Sequence, residues 1–387
     1  MTTMTVETTA PARRAPIMSR ALALRFGSIL GSATSFYLVV SVVPMYGGGD
    51  QAAGLSTGAL MLTTVLGELA TPRLIARYGL RPILAVGLVL LGAPLLALPL
   101  SASVGWIVAV CLVRGLGFAF TVVAGGALTA ALIPADRRGE GLAVVGLVSG
   151  IPSMAAMPLG VWLSGRIGYT PVLVIGGLAA LAALVTLPGL PGTTAVADKS
   201  EDPRGMVAGL RSTSLRRPAL YFSATTMAGG VLVTFLPLAI TGKAAGTVAL
   251  ALLAQPAAST AARWLSGRYG DRKGMRGLLV PSLVAAAAGM ALLSLTTIPA
   301  AAVIGALIFG AGFGVVQNIS LTMMYGSVSA AEYGTVAAVW NLAYDAGWGL
   351  GAVGFGFLVP LTGDPVAFTL TAALMLAALS PALRLRR

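Results

Sequence analysis

Few residues in this chain are able to do chemistry. It contains no histidine and a single cysteine, Cys111. Imidazole proton relays, Ser-His-Asp and Cys-His catalysis, an internal disulfide and cysteine-based metal clusters are therefore excluded. No metal site and no cofactor are expected. Three ionisable side chains fall inside otherwise apolar stretches: Glu68, Arg114 and Asp345. A charge within a bilayer costs about 2.5–3.5 kcal/mol on insertion scales, so it faces the protein interior and marks an ion or substrate path. A buried acid whose arginine contact changes between two conformations would take up and release a proton. Glu68 and Asp345 are the deep acids suited to that role, with Arg114 as the cation that would modulate them. A permanent structural ion pair between Glu68 and Arg114 is the competing reading.

Around Asp345 the sequence groups polar and aromatic side chains at helical spacing. Asn341 and Asp345 are one turn apart, Trp348 follows near the same face, and Trp340, Tyr344 and Trp348 form an adjacent aromatic strip. Aromatic walls with a few orienting polar groups suit an amphiphilic ligand. Packing between helices explains the same strip equally well, given the surrounding Gly347, Gly349, Gly351, Gly354 and Gly356. Tyr37, Gln255, Gln317 and Asn318 are further candidates to line a cavity, with interhelical hydrogen bonding as their other role.

The elements that must position these residues are membrane spans. Only 10% of the 387 residues are charged and 57% are apolar, whereas soluble domains carry roughly 25% charge. Most of the surface must face lipid. A span needs about 20 apolar residues, and charge-free runs occur at 26–46, 82–113, 115–135, 141–165, 167–197, 218–242, 244–262, 277–331, 346–363 and 365–383. The run 277–331 would be roughly 80 Å long as one helix, so it must fold back, with Thr296-Thr297-Ile298-Pro299 as the turn. Residues 54–75 add a span interrupted by Glu68, and Arg114 and Asp345 interrupt two others. The layout predicts twelve spans.

The basic residues orient the layout. With a cytoplasmic N-terminus, all 25 lysines and arginines fall on the cytoplasmic side except Arg166, Lys243 and the intramembrane Arg114. The net charge of +13 is then a cytoplasmic collar, and nucleic acid is not implied. A secretory signal over 11–46 is the lesser reading, because the apolar run is too long for a signal core. The expected organisation is a disordered cytoplasmic tail at 1–20, a six-helix bundle at 21–190, a cytoplasmic linker at 191–217 and a second six-helix bundle at 218–384.

The two halves repeat. Gly267-Arg268-Tyr269-Gly270-Asp271-Arg272-Lys273-Gly274-Met275-Arg276 follows span 8, and Pro72-Arg73-Leu74-Ile75-Ala76-Arg77-Tyr78-Gly79-Leu80-Arg81 follows span 2. Arg272 matches Arg77, Gly274 matches Gly79 and Arg276 matches Arg81. This resembles the Gly-x-Leu-Ala-Asp-Arg-x-Gly-Arg-Arg loop of the major facilitator superfamily. The resemblance implies a conformational latch, with Gly267 at a helix end and Asp271 as its acid. Ala76 stands where the first copy would carry aspartate. Arg114-Gly115-Leu116-Gly117 looks like the fourth-helix Arg-x-x-x-Gly pattern. Gly146-x-x-x-Gly150-Ile151-Pro152, followed by Pro158-Leu159-Gly160, is similar to the fifth-helix pattern of the twelve-helix drug–proton antiporters. Small-residue helix packing is the physical content of that last stretch.

The resemblance implies an all-α membrane protein of two six-helix bundles with a central cavity. It also implies a monomer in the cell membrane that exports small hydrophobic or amphiphilic compounds, a drug or natural product, in exchange for protons. The alternative within transport is a polar solute such as a sugar or amino acid, in either direction. A membrane enzyme is disfavoured by the missing histidine and metal-ligand clusters. A sensor is disfavoured by the absence of a sizeable soluble output domain.

Overall fold

The computed structural model describes residues 18–134, 137–192, 209–240, 245–273, 276–329 and 332–378. They form twelve helices: α1 (Arg20–Tyr46, interrupted at residues 40–41), α2 (Asp50–Tyr78), α3 (Leu80–Leu100), α4 (Val104–Leu132), α5 (Arg138–Ile167) and α6 (Tyr169–Gly189), then α7 (Thr213–Ala239), α8 (Ala245–Lys273), α9 (Leu279–Leu292), α10 (Pro299–Tyr325), α11 (Tyr333–Thr362) and α12 (Asp364–Ala377). Among the described residues nine helices are long and apolar enough to cross a bilayer, and α9 and α12 are shorter apolar helices. The long run 277–331 folds back between Leu292 and Pro299, as its Thr-Thr-Ile-Pro sequence predicts. Helix α7 begins at Thr213, inside the stretch that the sequence assigns to the linker.

Local chemistry sets the helix ends. The Ser19 hydroxyl accepts from the Leu22 amide at 3.1 Å to cap α1, and Ser103 caps α4 through the Trp106 amide at 3.4 Å. Successive helices reverse on almost no loop. Gly79 and Gly168 have φ of 87° and 82°, and each donates its amide back into the helix just ended, to Ile75 and Ser164. A left-handed residue at that point costs glycine little.

The packing pattern repeats between halves. Helix α2 packs on α4, α3 on α4, α1 on α5 and α3 on α6; in the second half α8 packs on α10, α9 on α10, α7 on α11 and α9 on α12. Shifting every helix number by six converts the first set into the second. The seam between the halves obeys the same rule, being built from α2 against α11 and α5 against α8. Away from these contacts, apolar side chains such as Val86 and Val89 on α3 and Leu370 and Leu374 on α12 are exposed, as a lipid-facing surface requires.

The seam is tight at one end. We call the face where α1 begins and α12 ends the entry face, and its opposite the far face. Near the far face, Ser41 donates to the Val233 carbonyl at 2.8 Å, and Thr57 and Thr234 share a hydrogen bond of 3.2 Å. There a Cβ added to Gly54 would lie 2.6 Å from the Ala352 carbonyl oxygen, and one on Gly356 would lie 2.6 Å from that of Asp50. Small residues let α2 and α11 touch backbone to backbone. Toward the entry face the halves part, and the cavities lie there.

Candidate substrate cavity and proton site

Helices α1, α5, α7, α8, α10 and α11 enclose a cavity of about 270 Å³ that draws on both halves. Its first-half wall includes Tyr37, Gly146, Gly150 and Met154, and its second-half wall Gln255, Arg263, Phe313, Gln317, Tyr344 and Trp348. A second cavity of about 300 Å³ lies between α1, α4 and α5, and Tyr37 belongs to both. Tyr37 is therefore the joint of a two-chambered space that reaches from the middle of the fold toward the entry face.

Asp345 is 7% exposed on α11 and lines neither cavity itself, but it follows Tyr344 and lies one turn before Trp348, both of which line the first. Its charge acts on Tyr37 of α1 and on its neighbour Tyr344, and Arg263 acts on the same two phenols. Asp345, Tyr37 and Arg263 thus form one electrostatic group drawn from both halves. The helix carrying Asp345 is fixed from behind. Thr226 of α7 donates to the Ala343 carbonyl at 3.1 Å, and Gly347 leaves no room for a Cβ against Thr226.

The aromatic strip divides by role. Trp340 stacks on Phe222 at 4.5 Å, and its Nε1 donates to the Ser320 hydroxyl at 3.2 Å. Tyr344 lies 5.6 Å from Trp348, and both line the cavity. Trp348 is 7% exposed, and its Nε1 has no hydrogen-bond partner among the described residues. Packing accounts for Trp340, whereas Trp348 lines the cavity while its Nε1 is buried without a hydrogen-bond partner among the described residues.

The other sequence candidates scatter. Gln255 and Gln317 line the cavity, and Gln317 accepts from Arg263 Nη1 at 3.0 Å. Asn318 instead donates to Ser266 Oγ at 3.1 Å within the α8–α10 contact. Asn341 is half-buried and is not among the residues lining either cavity. Glu68 is half-buried and engaged by a partner, nearer the Tyr78 end of α2, and lines neither cavity. Arg114 is 1% exposed, donates from Nε to the Leu91 carbonyl of α3 at 3.3 Å, and has Cys111 as its electrostatic neighbour. It is buried in the α3–α4 contact and lines neither cavity.

Two motif readings change. The spacing of Gly146 and Gly150 implies helix packing, but both line the cavity and a Cβ on either would meet nothing within 4 Å. In the same stretch Pro152 and Pro158 are buried and Gly160 is pressed against the Leu38 carbonyl of α1. In the expected latch, Gly267 lies inside α8 and ends no helix, whereas Gly79 does cap α2. Arg77 lies 5.2 Å over the Tyr78 ring, and Arg81 lines a groove with Leu184 and Pro188 of α6. Gly274 lies outside the described residues, as do the side chains of Asp271, Arg272 and Arg276.

Two functional candidates escape sequence reading. Arg25 and Arg263 stand at the edges of apolar runs, where a helix-borne arginine looks like one more loop charge. Both lie within helices and line the cavities. The signal available was their place one turn or more inside a continuous helical pattern.

Residues 25–352 match the sequence profile of the Major Facilitator Superfamily. No curated protein matches the chain. Among solved structures, the nucleoside transporter NupG superposes with a TM-score of 0.77 at 13% identity, covering 96% of this chain and 100% of that one. A point mutant of the same transporter gives 0.76 at 14% identity, covering 95% and 100%. The human organic anion transporter MFSD10 (TETRAN) gives 0.62 at 18% identity, covering 94% and 99%.

Proposed function

The chain belongs to the major facilitator superfamily, and we propose that it exports small hydrophobic or amphiphilic compounds in exchange for protons, as a monomer in the cell membrane with both termini cytoplasmic. That it is a multi-pass membrane transporter and not an enzyme follows from its family. The finer reading is carried by one observation: Asp345 is a buried carboxylate next to the cavity-lining Tyr344, and its charge acts on Tyr37 of the other half.

Alternating access moves one half against the other around a fixed site. Rocking separates Tyr37 from Asp345 or brings them together, and it changes how far water reaches the carboxylate. A carboxylate in such a place binds a proton in one state and releases it in the other. On the assignment of the entry face to the cytoplasm, supported by its lysines and arginines, the cavity is open to the cytoplasm and ready to load cargo. Binding the cargo and losing the Asp345 proton inward would precede reopening at the far face, where a proton enters and cargo leaves.

The cavity chemistry supports an amphiphilic cargo. Met154, Met157, Phe313, Tyr344 and Trp348 offer apolar and aromatic surface, and Gln255, Arg263 and Gln317 gather polar groups on the α8–α10 side. Everted membrane vesicles test the reading: cargo accumulation that collapses with a protonophore, and is lost in Asp345→Asn with normal protein in the membrane, is the expected result. Uptake unaffected by either treatment would reject proton coupling. Transport of sugars or amino acids, with no amphiphile moved, would return the protein to the polar-solute class.

A further inference from the structure

We propose that the cargo is an anionic amphiphile whose acid group docks on Arg25, an inference that rests on the transporter reading above and adds the charge of what is carried. Arg25 belongs to α1, is 4% exposed and lines the second chamber together with Tyr37. Its guanidinium is held in a cradle. Nε donates to the Gly125 carbonyl at 3.1 Å and to Thr129 Oγ1 at 3.0 Å, and Nη1 donates to the Ser28 hydroxyl at 2.5 Å. The cradle is itself braced, because Thr129 donates to the Gly125 carbonyl at 2.7 Å and Ser28 to the Arg25 carbonyl at 2.9 Å. Gly125 makes the room: a Cβ there would collide with Nη2 of Arg25.

Every acceptor in that cradle is neutral. No acidic group among the described residues acts on Arg25, which is buried and held by neutral oxygens alone. A buried cation without a counter-ion is expensive to keep, and it remains strongly attractive to an anion because water and salt do not screen it. A cation that merely stapled α1 to α4 would need no open chamber beside it. Here the chamber is present, and Ile29, Phe118, Val122 and Val145 give it apolar walls. A planar guanidinium suits the paired oxygens of a carboxylate, sulfonate or phosphate.

Arg263 supplies a second cation on the opposite half. It is exposed in the first chamber and its described hydrogen-bond partner is the neutral Gln317. Arg25 lies in the second turn of α1, nearer the entry face than Tyr37, while Arg263 lies deeper along α8, so an anion from the entry face reaches the buried Arg25 through the second chamber and Arg263 through the first. The apolar body of the cargo is left against the aromatic wall.

Thermal unfolding of the purified full-length protein in phosphatidylcholine nanodiscs tests this without a proton gradient. The probes are matched pairs of aryl carboxylates and their primary amides, such as 2-naphthoxyacetate with 2-naphthoxyacetamide and 4-phenylbutyrate with 4-phenylbutyramide. The carboxylates should raise the unfolding midpoint at concentrations about tenfold below those needed by the amides, the range of one charge-assisted hydrogen bond. Arg25→Gln should erase that preference, Arg25→Lys should keep part of it, and Arg263→Gln should weaken it less. If Arg25→Gln does not fold, Thr129→Val loosens the cradle and should lower carboxylate affinity while leaving amide affinity alone. The proposal fails if no carboxylate shifts the midpoint, if amides act equally well, or if the Arg25 variants keep the wild-type preference. It also fails if phosphatidylglycerol in the discs stabilises through Arg25 while the carboxylates do not, which assigns Arg25 to lipid. Loss of proton coupling in Asp345→Asn with carboxylate binding intact would separate the two readings.

Discussion

Thr57 of α2 and Thr234 of α7 belong to different halves, and their hydroxyls are 3.2 Å apart in a buried hydrogen bond at the far face. Ser41 of α1 reaches the Val233 carbonyl beside it at 2.8 Å. These bonds exist only while the far end is closed, so they weight the equilibrium toward the conformation seen here. A buried hydrogen bond contributes about 0.5–1.5 kcal/mol net, hence Thr57→Val combined with Ser41→Ala should shift the balance about 5- to 150-fold toward the opposite state. In a Cys111→Ala background, an Ile151→Cys thiol on the cavity wall reports the change. Its reaction with a membrane-impermeant maleimide from the entry face should slow, and an unchanged rate would show that these bonds do not bias the equilibrium.

Glycines of the same spacing should behave oppositely in two places. Gly310 and Gly314 of α10 lie against the Gln255 and Ser259 carbonyls of α8 with no room for a methyl group. Gly310→Ala or Gly314→Ala should cost about 1–3 kcal/mol through overpacking, read as a lower unfolding temperature. Gly146→Ala and Gly150→Ala fill open space, so they should leave the unfolding temperature unchanged and act, where they act, on cargo selection. Equal destabilisation at both pairs would mean that Gly146 and Gly150 pack against something after all.

The two deep acids should also part company. Asp345 is buried next to the cavity-lining Tyr344 and within electrostatic reach of Tyr37 across the seam, whereas Glu68 is half-buried, has a partner and lies nearer the Tyr78 end of α2. Asp345→Asn should abolish protonophore-sensitive accumulation in everted vesicles, and Glu68→Gln should retain a substantial part of it. Reversal of that order would move the proton site to α2.

How much of this is legible in the sequence follows from what each residue answers to. Span positions answer to the local density of charge, which is why the residue pattern alone splits the run 277–331 at its Thr-Thr-Ile-Pro turn. Asp345 stands out for the same reason: an acid amid apolar residues is too costly to keep without a use. Arg25 and Arg263 do not stand out, because a basic residue near a span end satisfies the positive-inside pattern whether it points to solvent or into a cavity. Gly146 and Gly150 mislead differently. Small residues one turn apart allow close helix approach, but whether a neighbour occupies the space depends on which end of the seam is shut, a property of the conformation and not of the local sequence.

The tryptophans of α11 offer the sharpest separation between packing and binding. Trp340 has its ring stacked on Phe222 and its Nε1 donating to Ser320; Trp348, two turns on, has an unpartnered Nε1 among the described residues and lines the cavity. Replacing Trp340 by phenylalanine removes a satisfied hydrogen bond and leaves the Ser320 hydroxyl short of a donor, for a loss of about 1 kcal/mol in stability. Transport by the remaining folded protein should keep its KM. Trp348→Phe removes no bond from the empty protein, so its unfolding temperature should hold. Cargo that packs on the indole ring should then show a raised KM, while cargo that does not touch the ring should be moved as before. A stability loss in Trp348→Phe with unchanged KM for every compound would place that indole with Trp340 among the packing residues and leave cargo orientation to Arg25, Arg263 and the Gln255 side of the wall.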